Sequence, residues 1–189
     1  MKKLLLLTIT LPFSAQAINF EDIRFWAGSG TNRAAVVIDF NDGQTPRSYV
    51  WGYRWNGSAR GEDALRTIVQ ADPLLDAVID QFSFGASLNT ASYLPQSGGG
   101  YRHSRAQDFG PAGLYWSYWT ATQVNPNWAF SNSGMSDRVL NDGDIDGWAM
   151  SDPNFSGVPP TSPVPAVPEP AVVIALGSGL AAVLRRRPC

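Results

Sequence analysis

The sequence predicts an α+β domain, a mostly antiparallel sheet with two helices packed on one face. Apolar and aromatic runs of strand length alternate with turn signals, and two stretches between them carry helical periodicity. With 44% hydrophobic and 16% charged residues, 189 residues suit one ordinary core with tails. Seven Trp, six Tyr and nine Phe exclude a merely solvating chain.

Ala34–Phe40 reads as a buried strand ended by Asn41-Asp42-Gly43, and Tyr49–Trp55 as the next, closed by Asn56-Gly57. The loop Gly43–Ser48 between them makes an antiparallel pair the simplest arrangement. Glu62–Ala71 opens with two acids, which suit the positive end of a helix dipole. Asp72-Pro73 reads as a new N-cap, followed by Leu75, Val78, Ile79 and Phe82 at i, i+3, i+4 and i+7, a second helix. Ser87–Gly110 is polar and glycine-rich, with Gly98-Gly99-Gly100 as a loop. Strand character returns at Leu114–Thr122, Trp128–Ser131 and Ile145–Met150.

The ends read as addresses. Lys2-Lys3, the apolar run Leu4–Leu11 and Ala15-Gln16-Ala17 have the layout of a signal peptide over residues 1–17, cut by signal peptidase. Residues 18–157 are then an aromatic-rich ectodomain. Residues 158–170 hold six prolines and read as an extended linker without a core, ending in Pro168-Glu169-Pro170. Residues 171–189 read as a membrane helix whose Arg185, Arg186 and Arg187 hold its end in the cytoplasm. The fourteen-residue apolar run spans about 21 Å as a helix, short of a full bilayer, so thinning or snorkelling arginines must supply the rest.

Between residues 18 and 168 nine Arg and no Lys face fifteen Asp plus Glu, which argues against a nucleic-acid partner. The only cysteine, Cys189, is terminal, so an intrachain disulfide and a multi-cysteine metal site are excluded.

The aromatic rows carry the most information. Tyr49, Trp51, Tyr53 and Trp55 alternate, so all four rings share one strand face, opposite Val50, Gly52 and Arg54. Trp116 and Tyr118 face one way and Tyr115 and Trp119 the other. The rings are either core or an exposed platform for a flat ligand; the candidate ligand-binding set is Trp51, Tyr53, Arg54, Trp55, Trp116 and Trp119.

Asp142, Asp144 and Asp146, followed by Gly147, match the opening of a calcium loop, although position twelve is Pro153 instead of Glu. The same run also reads as a solvated turn, and no other cofactor is expected. His103 is the only histidine, so a hydrolase would run through it, with Ser104 and Asp108 nearby; a surface or binding role is the plainer reading. Glu62 and Asp63, a conceivable acid pair, cap the helix more simply.

The order Pro168-Glu169-Pro170, apolar run, Arg185-Arg186-Arg187 resembles the PEP-CTERM sorting signal of Gram-negative bacteria over about the last 22 residues. That resemblance implies export, an inner-membrane-anchored precursor, processing by an exosortase, and a final place on the cell surface or in the extracellular matrix. Val50–Gly57 with Gly61-Glu62-Asp63 and Ala71-Asp72-Pro73 resembles a domain of uncharacterised bacterial surface proteins and implies no activity. The strand–helix order with Trp116–Trp119 and Leu140–Asp144 is similar to transcobalamin-like β-grasp domains, which implies a corrinoid-like ligand; the polar insert from Ser83 to Gly113 departs from them. The expectation is a non-catalytic envelope protein that binds a glycan or a corrinoid-like molecule. The alternatives are a structural component of the exopolysaccharide matrix and an envelope hydrolase using His103.

Overall fold

A computed structural model describes residues 18–95 and 101–168. In chain order the elements are a 3-10 turn (Phe20–Asp22), β1 (Trp26–Gly28), β2 (Asn32–Asp39), β3 (Ser48–Trp55), α1 (Gly61–Ala71), β4 (Leu75–Phe82), β5 (Gly85–Tyr93), β6 (His103–Ala106), β7 (Trp116–Thr122), β8 (Ala129–Phe130), β9 (Asp144–Met150) and β10 (Val164–Pro165). The expected signal segment 1–17, the Gly98-Gly99-Gly100 loop, Glu169, Pro170, the apolar run, Arg185, Arg186, Arg187 and Cys189 lie outside the described residues.

β2 and β3 pair antiparallel from Asn32↔Trp55 to Asp39↔Ser48, as the two runs and their turn predict. Covered on both faces, they read as nearly unbroken apolar runs. The larger sheet runs β1-β3-β2-β9-β7-β8, with β10 also on β3. It is mixed: β2–β9, β1–β3 and β10–β3 are parallel. Antiparallel pairing holds for β2–β3, β7–β8 and β7–β9, and throughout the smaller sheet β4-β5-β6.

On the inner face, α1 and the small sheet cover the aromatic row of β3. Ala64, Leu65 and Ile68 of α1 are buried there, and Asp63 accepts the Arg60 N–H at 2.8 Å to start the helix. The ring of Trp51 meets Tyr93 of β5 at 5.0 Å, edge to face. The outer face is covered by residues 18–26, Trp128 and the proline segment. Gly52 leaves room for the Trp26 ring to lie on the strand, and Gly147 does the same for Pro160 and Trp128, which a Cβ would meet at 2.8 and 2.9 Å.

Two expectations are corrected. The second helix is a strand: Leu75–Phe82 pairs with Gly85–Tyr93 as a hairpin, with a register shift between Val78 and Ile79. β-Branched Val78 and Ile79 and a nearby partner strand favour the extended form, and Val78 and Phe82 of the supposed apolar helix face are exposed. Asp72, read as its N-cap, is the C-cap of α1, its N–H bonded to Ile68 O at 2.9 Å. Among the described residues one helix, not two, therefore covers the sheet.

The proline segment is docked where a free spacer is expected. Val164 and Pro165 pair with β3, Ala166 is fully buried, and its N–H reaches Val50 O at 2.9 Å. Thr161 donates both its backbone N–H (2.7 Å) and its hydroxyl (2.8 Å) to the sealed carboxylate of Asp39. Proline costs nothing at a sheet rim, where no ladder donor is needed. Among the described residues no helix is long and apolar enough to cross a membrane.

Candidate functional site

β7 divides its rings between two worlds. Trp116 and Tyr118 point inward, while Trp119 points to the outer face together with Tyr115, just before the strand. The Trp119 indole N–H donates to Ser117 Oγ at 2.9 Å, and that hydroxyl donates to Ala149 O at 2.7 Å, so the ring is held by its own strand. Phe130 of β8 stands opposite in register and meets Trp119 edge to face at 5.3 Å.

A second pair joins from two distant turns. Phe155 lies 6.3 Å from Tyr115 and 6.4 Å from Phe109, whose ring is within 12° of parallel to it. Gly157 connects the two groups: a Cβ there would sit 2.7 Å from the Tyr115 hydroxyl and 3.6 Å from the Phe130 ring. The result is one outer strip in the order Phe109, Phe155, Tyr115, Phe130, Trp119. Phe109 is 67% exposed, Phe155 53% and Phe130 51%.

The Phe155 backbone is strained although its ring is only half buried. Asn154 (φ 65°) and Phe155 (φ 58°) are both left-handed, a region in which a bulky residue costs roughly 1–3 kcal/mol. The conformation is held from outside: Phe155 N–H donates to Gly113 O at 2.8 Å and Asn154 N–H to Ala112 O at 3.1 Å. Gly113 (φ 60°) fits because a Cβ would press on Asn154 and the Phe155 ring at 3.1 Å. Two turns lock together and hold an apolar ring half exposed at the surface.

The sequence-predicted ligand set is not brought together. Trp51, Tyr53 and Trp55 are core, correcting the platform reading of that row. The Trp51 indole donates to buried Asp72 at 2.7 Å, and Tyr53 stacks on Trp55 at 5.3 Å. Arg54 is on the other face, its guanidinium 4.6 Å from the Trp26 ring centre. Trp116 is buried, its indole bonded to Asn89 O at 3.1 Å. With Phe84, Leu88, Tyr118, Met135 and Trp148 it lines a slot of about 190 Å³ between the sheets, smaller than ordinary ligand cavities. Trp119 alone of the set is on the strip. Phe109 and Phe155 were missed because they come from separate turns and Phe130 because it sits on a two-residue strand, none sharing a periodicity; Asn154, a residue type enriched in left-handed backbone, is the one local signal.

The acidic run is not a loop. Asp144 and Asp146 lie on β9, and Gly147 sits mid-strand opposite Val37 and Trp119. Both carboxylates pair with Arg138, at 3.0 Å to Asp144 and 3.4 Å to Asp146, and Tyr118 donates to Asp146. Burial pushes Asp146 up to about 6, and it pushes the Tyr118 hydroxyl up as well. Asp142, on the preceding turn, accepts the Arg33 N–H at 2.7 Å. Among the described residues no trio of His, Cys, Asp or Glu is gathered that would hold a metal.

His103 is buried at 3% exposure, which corrects its reading as a surface residue. Its ring partners are Asp42 at 2.8 Å and Tyr49 at 2.9 Å. Ser104 turns the other way along β6, and Asp108 caps Gly110 N–H at 2.8 Å, so neither forms a triad with it. Glu62 is held by Ser136 and Arg66, and the Ser136 hydroxyl in particular lowers its proton affinity.

No protein-family model matches this chain, and neither a curated protein nor a solved structure is similar to it.

Proposed function

We propose that the chain is an exported envelope protein, sorted by an exosortase through Pro168-Glu169-Pro170 and its basic tail, whose domain binds extracellular glycan on the outer aromatic strip without catalysis. The observation that carries the binding reading is Phe155: an exposed apolar ring kept in left-handed backbone by a neighbouring turn. Strain of that kind persists only where neighbouring structure enforces it and clusters at binding sites, which supports the reading.

The shape favours a glycan over a corrinoid. A row of rings offers stacking faces to successive sugar units along a chain, whereas a macrocycle calls for a deep enclosure. The exposure of the strip also supports binding over a purely structural matrix role, and the burial of His103 weighs against a hydrolase.

Affinity electrophoresis of the exported chain through gels containing the host's own matrix polysaccharide, with hydroxyethylcellulose as a defined probe, tests the reading. Wild type is retarded; Trp119→Ala and Phe155→Ser each lose most of that retardation while keeping the wild-type circular dichroism spectrum. Free migration of the wild type in both gels overturns glycan binding. Quenching of tryptophan fluorescence by cobalamin would instead support the corrinoid alternative.

A further inference from the structure

The environment of His103 has a property that the strip does not use. The imidazole stacks on Phe40 at an inclination of 29°, ring centres 5.1 Å apart, and is sealed beneath the Phe40–Arg47 loop. Asp42 of that loop divides its carboxylate: Oδ1 accepts the Gln44 N–H at 3.1 Å and Oδ2 faces His103 Nδ1 at 2.8 Å. On the other side of the ring, Nε2 faces the Tyr49 hydroxyl at 2.9 Å.

That hydroxyl has one proton and two acceptors within reach, His103 Nε2 and the Pro46 carbonyl at 3.1 Å. A neutral ring spends its single N–H on Asp42 and presents a lone pair at Nε2, so the Tyr49 proton goes to the ring and Pro46 loses it. An imidazolium donates at both nitrogens. Tyr49 oxygen then accepts from Nε2, and its own proton turns to Pro46. One proton taken from solvent adds to Nε2, none leaves, and the bonds among these groups rise from two to three.

We propose that His103 is a buried proton-operated latch: protonating its ring hands the Tyr49 hydroxyl over to Pro46 and fastens the Phe40–Arg47 loop to the sheets. The positive ring would sit against the Asp42 carboxylate, so its charge is paired where it forms. Tyr49 remains a neutral hydroxyl throughout, because burial and then the charge of Asp42 push it up to about 12. The other titratable or charged groups around the ring are Tyr93 on β5, Tyr101 before β6 and Arg105 on β6, with the Arg47–Asp39 pair at 3.0 Å behind the loop. Arg105 is occupied by the carbonyls of Phe40 (3.2 Å) and Asn41 (2.8 Å), which ties the same loop to β6 independently of the proton.

The latch does not depend on what the strip binds. Because His103 is the only histidine, labelling the full chain with 15N-histidine yields a single pair of ring nitrogens to follow. Along a pH titration, Gln44 amide protection, corrected for intrinsic exchange, rises about fivefold wherever the ring nitrogens report the imidazolium, the size of one added hydrogen bond. Tyr49→Phe, which keeps the ring but lacks the hydroxyl, and His103→Gln, which cannot take the proton, both lose that rise. The latch is overturned if wild-type Gln44 protection does not follow the ring nitrogens, if the ring stays neutral until the chain unfolds, or if the rise survives in Tyr49→Phe. Should either variant fail to fold, the wild-type titration alone decides.

Discussion

The indole N–H of Trp51 donates to the fully buried carboxylate of Asp72 at 2.7 Å, under the small sheet. Asp72 also ends α1 and accepts the Leu74 N–H at 3.0 Å, so one buried acid ties β3, the helix and the start of the hairpin together. Removing its partner strands a buried polar group.

Trp51→Phe, which keeps an aromatic body and deletes only the N–H donor and the second ring, is therefore expected to cost about 2–3 kcal/mol, read from urea denaturation midpoints. A loss below about 0.5 kcal/mol would mean that Asp72 finds another donor or water.

Phe155→Gly is expected to be close to neutral for stability. It relieves left-handed strain of roughly 1–3 kcal/mol but gives up about half of a ring's burial, so the two offset and the melting temperature moves by the equivalent of about 1 kcal/mol at most. Retardation in the polysaccharide gel falls at the same time. A residue placed only for structure would lower stability and leave binding unchanged.

Thr161→Val retains the shape and the backbone N–H but removes the hydroxyl that Asp39 accepts at 2.8 Å. The expected loss is about 1–2 kcal/mol, accompanied by faster proteolytic trimming of the chain after Gly157. Trimming at the wild-type rate would show that the segment is held by its packing alone.

Asp146 supplies a pH dependence with a defined sign. Burial raises its folded-state value from 3.8 to about 6, so the fold favours the protonated acid. Its contribution to stability is whole below about pH 4 and is lost as pH rises through 6. Asp146→Asn flattens that part of a stability–pH curve measured by urea midpoints. An unchanged slope between pH 4 and 6 in the variant would assign the dependence to other carboxylates.

Much of the fold was legible where chemistry and period coincide. β2 and β3 announce themselves by continuous apolar runs and turn residues, and α1 by its acidic first turn. β4 was misread because Leu75, Val78, Ile79 and Phe82 fit a helical period by accident, while a register shift hides the strand period. β5 buries Ala86, Leu88, Ala91 and Tyr93 between Ser, Thr and Asn, too little contrast to read as a strand. β10 is hidden by Pro165 and the prolines that flank it. Of the strip, Trp119 was visible from alternation in β7. Phe109 and Phe155 were not, because only the locked turns at Gly113 and Asn154 bring them together.

β10 and β1 lie along the same rim of β3, both parallel to it, β10 at Tyr49 and Val50 and β1 from Gly52 onward. Ala166 N–H reaches Val50 O and Phe25 O receives Gly52 N–H, so the late segment points straight at the beginning of the early one. Together they form a single strand interrupted by a nick. A circular permutant that links the end of this late segment to Ile18, so that residues 18–25 still cover the outer face, and opens the chain at the Ser83–Phe84 hairpin tip is expected to keep the sheet pairings, which would separate the order in which the pieces are synthesised from the architecture they build.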